Sequence, residues 1–166
     1  DAVIEAIDKH FSYMYDRPLP NNPTRARFPK TLAGKSVDTV YGPNAEFVAF
    51  AYRLPPGTGK SAIYMEMINR ILYNGKAGLI DENLNNSQKV QKAYSYAYPL
   101  NDGSMHMFFG YHKEGQTLDE VKNLMLEQLE RVKSGDFDEK LLKAGIDNME
   151  VHDLYNYKTN EGRAYE

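Results

Sequence analysis

Apolar and polar residues alternate along this chain with the period of a helix in some segments and with the period of a strand in others. Positions three or four apart share one face of a helix, and positions two apart share one face of a strand. Helices are predicted over residues 2–15 and 62–73, from Thr117 onward, and over a last segment that runs to about Tyr157. The strands predicted are 36–41, 46–54, 93–99 and 104–112, with an irregular short helix over 79–90.

Turn and cap signals indicate how these elements connect. Gly42-Pro43-Asn44 separates the first two strands, and Asn101-Asp102-Gly103 is a good hairpin turn between the last two. Thr117 with Glu120 has the form of a capping box, and Asp136 with Glu139 repeats that signal. Because strands joined by short turns pair antiparallel, we predict an α+β fold: a single layer of antiparallel sheet with helices mainly on one face.

Large apolar residues on the inward faces of these elements should form the core. The helix that opens at Thr117 turns Leu118, Val121, Leu124, Met125 and Leu129 inward. The segment from Arg17 to Lys30 contains four prolines and is predicted to be an extended surface connection. The expected core includes Phe11, Phe47, Ile71, Leu72, Phe109, Leu124 and Leu129.

Length and composition limit the class of protein. The 166 residues fit one domain over residues 1–166. The net charge of −3, without a basic block, argues against a large nucleic-acid interface, and no apolar run approaches the roughly 20 residues of a membrane-spanning helix. The absence of cysteine excludes disulfides and thiolate metal sites. For a bacterial source, the periplasm or cell envelope is one location that we consider.

The ends of the sequence suggest a piece of a longer chain. Asp1 begins directly on a helical pattern, and Glu166 falls inside another. We therefore expect truncation at both ends, with any targeting signal removed.

A stretch resembling a phosphate-binding loop follows the second predicted strand. Residues 54–61 read Leu-Pro-Pro-Gly-Thr-Gly-Lys-Ser, which resembles the Walker A motif of the large ATPase families, and residues 79–82 imitate a Walker B motif. An alternative function is therefore a P-loop-like ATP/GTP-binding domain that uses Gly57, Gly59, Lys60 and Ser61.

Two observations oppose nucleotide binding. Leu54 replaces the first glycine of the motif, and the acidic pair follows Lys60 too soon for the parallel strands that a nucleotide-binding sheet requires. We prefer a polar loop that enters a helix, with Ser61 as the N-cap.

The remaining candidates for chemistry are histidines and tyrosines. The histidines lack metal-ligand spacing, and His106 and His112, on one face of a predicted strand, are too far apart to hold one metal unaided. We interpret both as histidines of a partly exposed sheet face. Tyr94, Tyr96 and Tyr98 share one strand face; this face could stack a ligand, but we favour packing against a helix.

An ordered set of landmarks resembles the non-catalytic domain of the insulinase (pitrilysin) family of zinc peptidases. The set starts with His10-Phe11 and a strand that ends Tyr52-Arg53-Leu54-Pro55, followed by a helix that ends Tyr73-Asn74-Gly75. It continues with residues 78–84, Ala93-Tyr94-Ser95, Asp102-Gly103, Gly110-Tyr111 and Ser134-Gly135-Asp136-Phe137.

The resemblance implies an inactive domain that helps to form a peptide-enclosing chamber. Active members carry zinc on a His-x-x-Glu-His motif in a different domain; the motif is absent here, so no catalytic or metal-binding residue is expected, and zinc belongs to a separate domain of the parent protein. Some family domains contact substrate through an Arg and a Tyr seven residues apart. Tyr94 matches that Tyr, the Arg position falls on Ser87, and Lys89 is the nearest cation. Lys89 and Tyr94 are the expected chamber contacts.

Two classes of partner and one further function follow. The resemblance implies contacts with other domains of the parent chain and with a peptide substrate. A free-standing module that recruits a peptide strand to its sheet edge stays open as well. The sequence upstream of Asp1, with or without His-x-x-Glu-His, would decide between these hypotheses.

Overall fold

The computed structural model describes residues 2–14, 32 and 34–165, apart from the side chain of Tyr165. The chain divides into two compact units, Asp1–Ala33 and Gly34–Glu166. Residues 17–30, predicted to be an extended surface connection, lie outside the described residues. Each unit is presented by itself.

The first unit contains helix α1, Ala2–Phe11. The helix buries none of its residues, and Phe11 is 53% exposed. The prediction that Phe11 belongs to the core is therefore wrong. A helical pattern shows which side chains share a face, but it does not supply a partner that covers the face.

The second unit is built on a three-stranded antiparallel sheet. Its strands are β1, Phe47–Leu54, β2, Lys92–Tyr98, and β3, Ser104–Tyr111, in the spatial order β1-β3-β2. β2 and β3 form the predicted hairpin, and β1 pairs antiparallel with the other edge of β3. The α+β prediction is confirmed.

The strand predicted over 36–41 is wrong. These residues form no strand, and Val40 and Tyr41 are almost fully exposed. β-branched and aromatic residues favour an extended backbone, but a strand also needs a neighbour to pair with. The neighbour of β1 is β3, which comes from the later hairpin.

Three helices of this unit lie close to the predicted spans: α2, Lys60–Leu72, α3, Leu118–Ser134, and α4, Glu139–Asn156. Within the predicted irregular helix 79–90, a short π-helix spans Asp81–Asn86, and a further helix, α5, Asn160–Tyr165, follows α4. Thr117 and Glu120 form the predicted capping box at the start of α3.

The cap of α4 differs from its prediction. Asp138, not Asp136, is the N-cap, and its carboxylate accepts a hydrogen bond from the Lys140 amide at 2.9 Å. Asp136 instead pairs with Arg131, with Nε and Oδ2 2.8 Å apart. Gly135, with φ of 73°, ends α3 immediately before Asp136, and Asp138 lies directly before the first turn of α4.

The core lies between one face of the sheet and the helices. It comprises Leu72, Ile80, Leu84, Val90, Ala93, Phe108, Val121, Met125 and Leu129. Of the predicted core residues, Ile71, Leu72 and Leu129 are buried, and Leu124 is partly buried against the cluster.

Phe47 and Phe109 do not join this cluster. Phe47 is 44% exposed and Phe109 is only partly buried, so their placement in the core is wrong. The side chains of both residues lie on the opposite face of the sheet from buried Phe108. Alternate side chains of a strand point to opposite faces, and the helices cover the other face.

Two local features fix the helices and π-helix against the sheet. A Cβ at Gly110 of β3 would lie 2.5 Å from Val121 Cγ1 and 2.7 Å from Met125 Sδ, so glycine allows α3 to approach the strand closely. The amide of Asn85 accepts from the Ala93 N–H and donates to the Ala93 carbonyl, both at 2.8 Å. This amide occupies the place of a neighbouring strand, which protects that part of the β2 edge.

Among the described residues, no helix combines the length and apolar character needed to cross a membrane.

Candidate functional site

One face of the sheet carries side chains that none of the helices described in the second unit covers. Buried and accessible residues alternate along β3, and the helices pack on the positions that include Ser104, His106, Phe108 and Gly110. We call the opposite side the open face. It is formed by Phe47, Ala49, Ala51 and Arg53 of β1, Lys92, Tyr94, Tyr96 and Tyr98 of β2, and Met105, Met107, Phe109 and Tyr111 of β3.

Aromatic rings join the three strands across the open face. The Phe109 ring stacks on Tyr94 at 5.2 Å and on Tyr96 at 5.6 Å between centroids. On its other side Phe109 lies 6.3 Å from Phe47, which in turn lies 5.5 Å from Tyr111. Such ring pairs contribute about 0.5–1.5 kcal/mol beyond their buried area, so this surface is held in place before any ligand arrives.

The predicted packing of Tyr94, Tyr96 and Tyr98 against a helix is wrong. The helices instead pack on the intervening small residues of β2, Ala93 and Ser95, which are buried. The tyrosines therefore belong to the open face, where Tyr96 is 39% exposed. The prediction that these three tyrosines share one strand face is confirmed. Which of the two faces the helices cover depends on the rest of the chain.

Tyr94 lies where polar and apolar contacts meet. Partial burial raises the pKa of its hydroxyl, and a hydrogen bond with Tyr111 raises the pKa further. The Lys92 ammonium lies 5.2 Å from the centre of the Tyr94 ring, at the distance of a cation–π contact. The Tyr94 hydroxyl is thus neutral and lies on a residue beside a cation. It can donate or accept a hydrogen bond.

Lys89, the other expected chamber contact, is exposed and lies between the π-helix and β2. Its backbone amide donates to the Leu84 carbonyl at 2.9 Å, and its carbonyl accepts from Gln116 Nε2 at 3.0 Å. The backbone of Lys89 is therefore held on both sides. Its role as a substrate contact stays a prediction.

Sequence reasoning missed Lys92, the cation that lies over Tyr94. The signal was present, because Lys92 precedes Tyr94 by two residues and so shares its strand face. It also missed that Phe47 and Tyr111 belong with the tyrosines of β2. That grouping depends on β3 lying between β1 and β2, which no local pattern reveals.

The histidines do not come together as a metal site. Within residues 2–14, 32 and 34–165, no group of three or more His, Asp or Glu side chains is arranged to hold a metal ion. His112 follows β3, with its Nε2 3.6 Å from Glu46 Oε2.

His106 differs from its predicted setting on a partly exposed face. It is only 5% exposed on the helix-covered side, where its Nε2 lies 3.1 Å from Asn69 Oδ1. The Ser95 hydroxyl donates to the same oxygen at 3.0 Å. Since that amide oxygen only accepts, His106 Nε2 is assigned the proton. Burial lowers the pKa of His106 to about 4, so this cluster is neutral near pH 7.

The loop between β1 and α2 forms no phosphate cradle. The Gly57 amide donates to the Leu100 carbonyl at 2.9 Å, and a Cβ on Gly57 would lie 2.5 Å from Pro99 Cβ. Gly59, not Ser61, is the N-cap of α2, so the prediction for Ser61 is wrong. The Ser61 hydroxyl is directed to the Pro56 and Thr58 carbonyls, each at 2.8 Å.

The acidic pair that imitates a Walker B motif also has a structural role. Asp81 is buried, and its Oδ2 accepts from the backbone amides of Asn74, Gly75 and Gly78 at 3.0–3.1 Å. This carboxylate organises the loop after α2. A phosphate-binding loop belongs to a parallel sheet, whereas this sheet is antiparallel, and nothing supports the nucleotide-binding alternative.

Comparison with known proteins agrees with the geometry. Residues 1–149 match the family model of the peptidase M16 inactive domain. The chain is 21% identical over 161 residues to the zinc protease PqqE of Helicobacter pylori, covering 95% of this chain and 35% of that protein.

Two solved structures share the fold. A protease from Helicobacter pylori has a TM-score of 0.74 at 19% identity, covering 98% of this chain and 40% of the other. The inactive peptidase domain of a protein assigned as a zinc protease from Bordetella parapertussis has a TM-score of 0.61 at 17% identity, covering 72% and 65%. This chain thus spans about a third of the curated relative that it matches.

Proposed function

The chain belongs to the family of peptidase M16 inactive domains, and on that premise we propose that it forms a non-catalytic wall of the peptide-enclosing chamber of a zinc peptidase. The match to an inactive domain supports the expectation that this domain is not the catalytic one. Zinc and the groups that activate water would then belong to a separate domain of a longer parent chain, and the parent would be a zinc metalloendopeptidase.

The observation that carries this proposal is the open face. One side of the sheet builds a packed core, while the other presents aromatic and methionine side chains that the second unit leaves accessible. Apolar surfaces with a few polar groups are typical of ligand sites. In the proposed chamber this face would contact the peptide, with Tyr94 and Lys89 as substrate contacts and Lys92 beside them.

Zinc content and peptide hydrolysis test whether zinc binding and catalysis belong to a separate domain of the parent chain. We expect the 166-residue chain to bind no stoichiometric zinc and to cleave no peptide. The longer protein that contains it should hold zinc and hydrolyse a quenched fluorogenic peptide, and a chelator should abolish that hydrolysis. One tight zinc per 166-residue chain would overturn the proposal.

The role of the open face requires variants of the longer protein. Tyr96→Ser and Phe109→Ser should raise the KM for peptide hydrolysis and leave the zinc content unchanged. Tyr64→Ser offers a matched control, because Tyr64 is an exposed tyrosine of α2, away from the open face. Hydrolysis that is equally insensitive to all three substitutions would contradict the proposed chamber wall.

A further inference from the structure

The two cations of the open face lie at its opposite ends. Of its twelve positions, only Arg53 and Lys92 are charged, and none is a carboxylate. Lys92 pairs in register with Tyr111, whereas Arg53 pairs with Met105 at the other end of β3. The face is therefore an apolar, aromatic surface without an anion.

Two more lysines gather at the Tyr111 end. Lys113 follows Tyr111 by two residues, and its Nζ donates to the Gln88 carbonyl. Gln116 donates to the carbonyl of Lys89, which brings the Lys89 turn to the same end. We call Lys89, Lys92 and Lys113 the basic end of the open face.

The acids near this end are fewer than the cations. Glu46 faces His112, and Glu114 is an exposed residue next to Lys113. Three lysines against these two glutamates leave the basic end with a net charge of +1, so it should attract a carboxylate even though the whole chain has a net charge of −3.

We propose that the open face selects an extended, acidic and aromatic peptide, whose rings lie over Phe109 and its stacked neighbours and whose carboxylate lies at the basic end. This inference rests on the proposed function, because it names the substrate class that the chamber wall would prefer. Aromatic side chains of the peptide would continue the existing stack of Tyr94, Phe109 and Tyr96. The peptide carboxylate would pair with lysines that already flank this stack.

The length of the preferred peptide follows from the strand. From Lys92 to Tyr98 there are six steps of about 3.3 Å, or about 20 Å. An extended peptide of about six residues spans this distance. Because Lys92 lies 5.2 Å from the Tyr94 ring, a shorter peptide could reach the basic end and Tyr94 but would leave the Tyr98 end of β2 uncovered.

The chain contains no tryptophan, so tryptophan emission from a peptide reports binding without background. We suggest four hexapeptides with a blocked N-terminus, each with one Trp and one Phe in an alanine frame. The first ends in Glu and the second in Lys, both with an amidated C-terminus. The third is amidated and ends in Ala, and the fourth has the same residues with a free terminal carboxylate.

The expected result is a ranking by charge. The Glu peptide should bind about tenfold more tightly than the Lys peptide, a difference of about 1.4 kcal/mol, and added salt should reduce this ratio. The fourth peptide tells whether a terminal carboxylate can replace the side-chain carboxylate. Equal affinity for the Glu and Lys peptides, or no binding of any of the four, overturns the inference.

Charge reversal supplies the matched variants. Lys92→Glu and Lys113→Glu should each shift the preference toward the Lys peptide, whereas Lys140→Glu, on exposed α4, should not. Tyr96→Ser should weaken the binding of the Glu peptide and of the Lys peptide equally. If binding persists without charge preference, the inference fails while the proposed function stands; the insensitive hydrolysis described above would contradict the proposed function itself.

Discussion

The helix-covered face and the open face of the sheet arise from alternate residues of the same three strands, yet on β2 and β3 they differ in composition. On these two strands the covered face consists mostly of small residues, including Ala93, Ser95, Ser104 and Gly110, beside the buried rings of His106 and Phe108. The open face carries five rings of β2 and β3 and two methionines of β3. On β2 and β3 the two faces therefore differ in side-chain size, whereas on β1 the relation is reversed, with Phe50 and Tyr52 on the covered face and Ala49 and Ala51 on the open face.

This difference shows what each face does. Small residues let α3 approach the central strand closely, so the covered face contributes stability through dense packing. Large rings on the open face contact one another but are not enclosed by the second unit, so much of their surface stays available for binding. Substitutions on the first face should therefore change folding, and substitutions on the second should change recognition.

The largest effect is expected from Phe108→Ala. Phe108 is fully buried and stacks on Phe50 at 4.8 Å, so its loss leaves a cavity and should reduce the free energy of unfolding by about 3–5 kcal/mol. Tyr96→Ala removes a ring of the open face and should cost much less. Denaturant titration of both variants checks this contrast; similar losses would mean that both faces contribute equally to the core.

A smaller loss is expected when the covered face becomes too large. Gly110→Ala would push a methyl group into Val121 and Met125 of α3 and should cost about 1–3 kcal/mol by overpacking. Gly103→Ala serves as control, since a Cβ there meets no atom within 4 Å. Thermal unfolding compares the two; an unchanged melting temperature for Gly110→Ala would show that α3 can move away at little cost.

The pH dependence of stability should reveal buried His106. Its pKa is lowered from 6.5 to about 4 in the folded chain because burial disfavours the charged ring. Between these pH values the unfolded state binds a proton that the folded state does not, so stability falls as the pH falls through this window. With allowance for residual solvent screening, the free energy of unfolding should fall by about 2 kcal/mol across this window.

Variants separate this effect from other titrating groups. Urea titrations at pH 7 and pH 4 should give a smaller difference for His106→Gln than for the unchanged chain. His152→Gln removes an exposed histidine of α4 and should leave the difference as it was. A full pH dependence in His106→Gln would assign the effect to other residues.

The smallest effect is expected at Lys60. Its side chain is exposed at the start of α2, so Lys60→Ala should change stability by no more than about 0.5 kcal/mol. It should also leave the activity of the longer protein unchanged. A large loss of activity in a folded variant would restore the loop between β1 and α2 as a candidate site.

Features that depend on neighbouring residues were predictable. The hairpin from β2 to β3, the span of α2 and the capping box at Thr117 were all correct, because each is fixed by spacing and turn chemistry over a few positions. The cap of α4 was assigned to Asp136 and found at Asp138, since both are aspartates just before the helix and aspartate is a preferred N-cap residue. The three amide contacts of Asp81 had no local signal.

Sequence periodicity was enough to show which side chains share a face: Tyr94 with Tyr96 and Tyr98, and Phe108 apart from Phe109. The periods of helix and strand are properties of the backbone, so they can be read without a structure. The folded structure was needed to show which face the helices cover, that β1 lies beside β3, and that Lys92 and Phe47 join the tyrosines of β2. Those outcomes depend on contacts between residues far apart in the chain, and a local pattern carries no information about its distant partner.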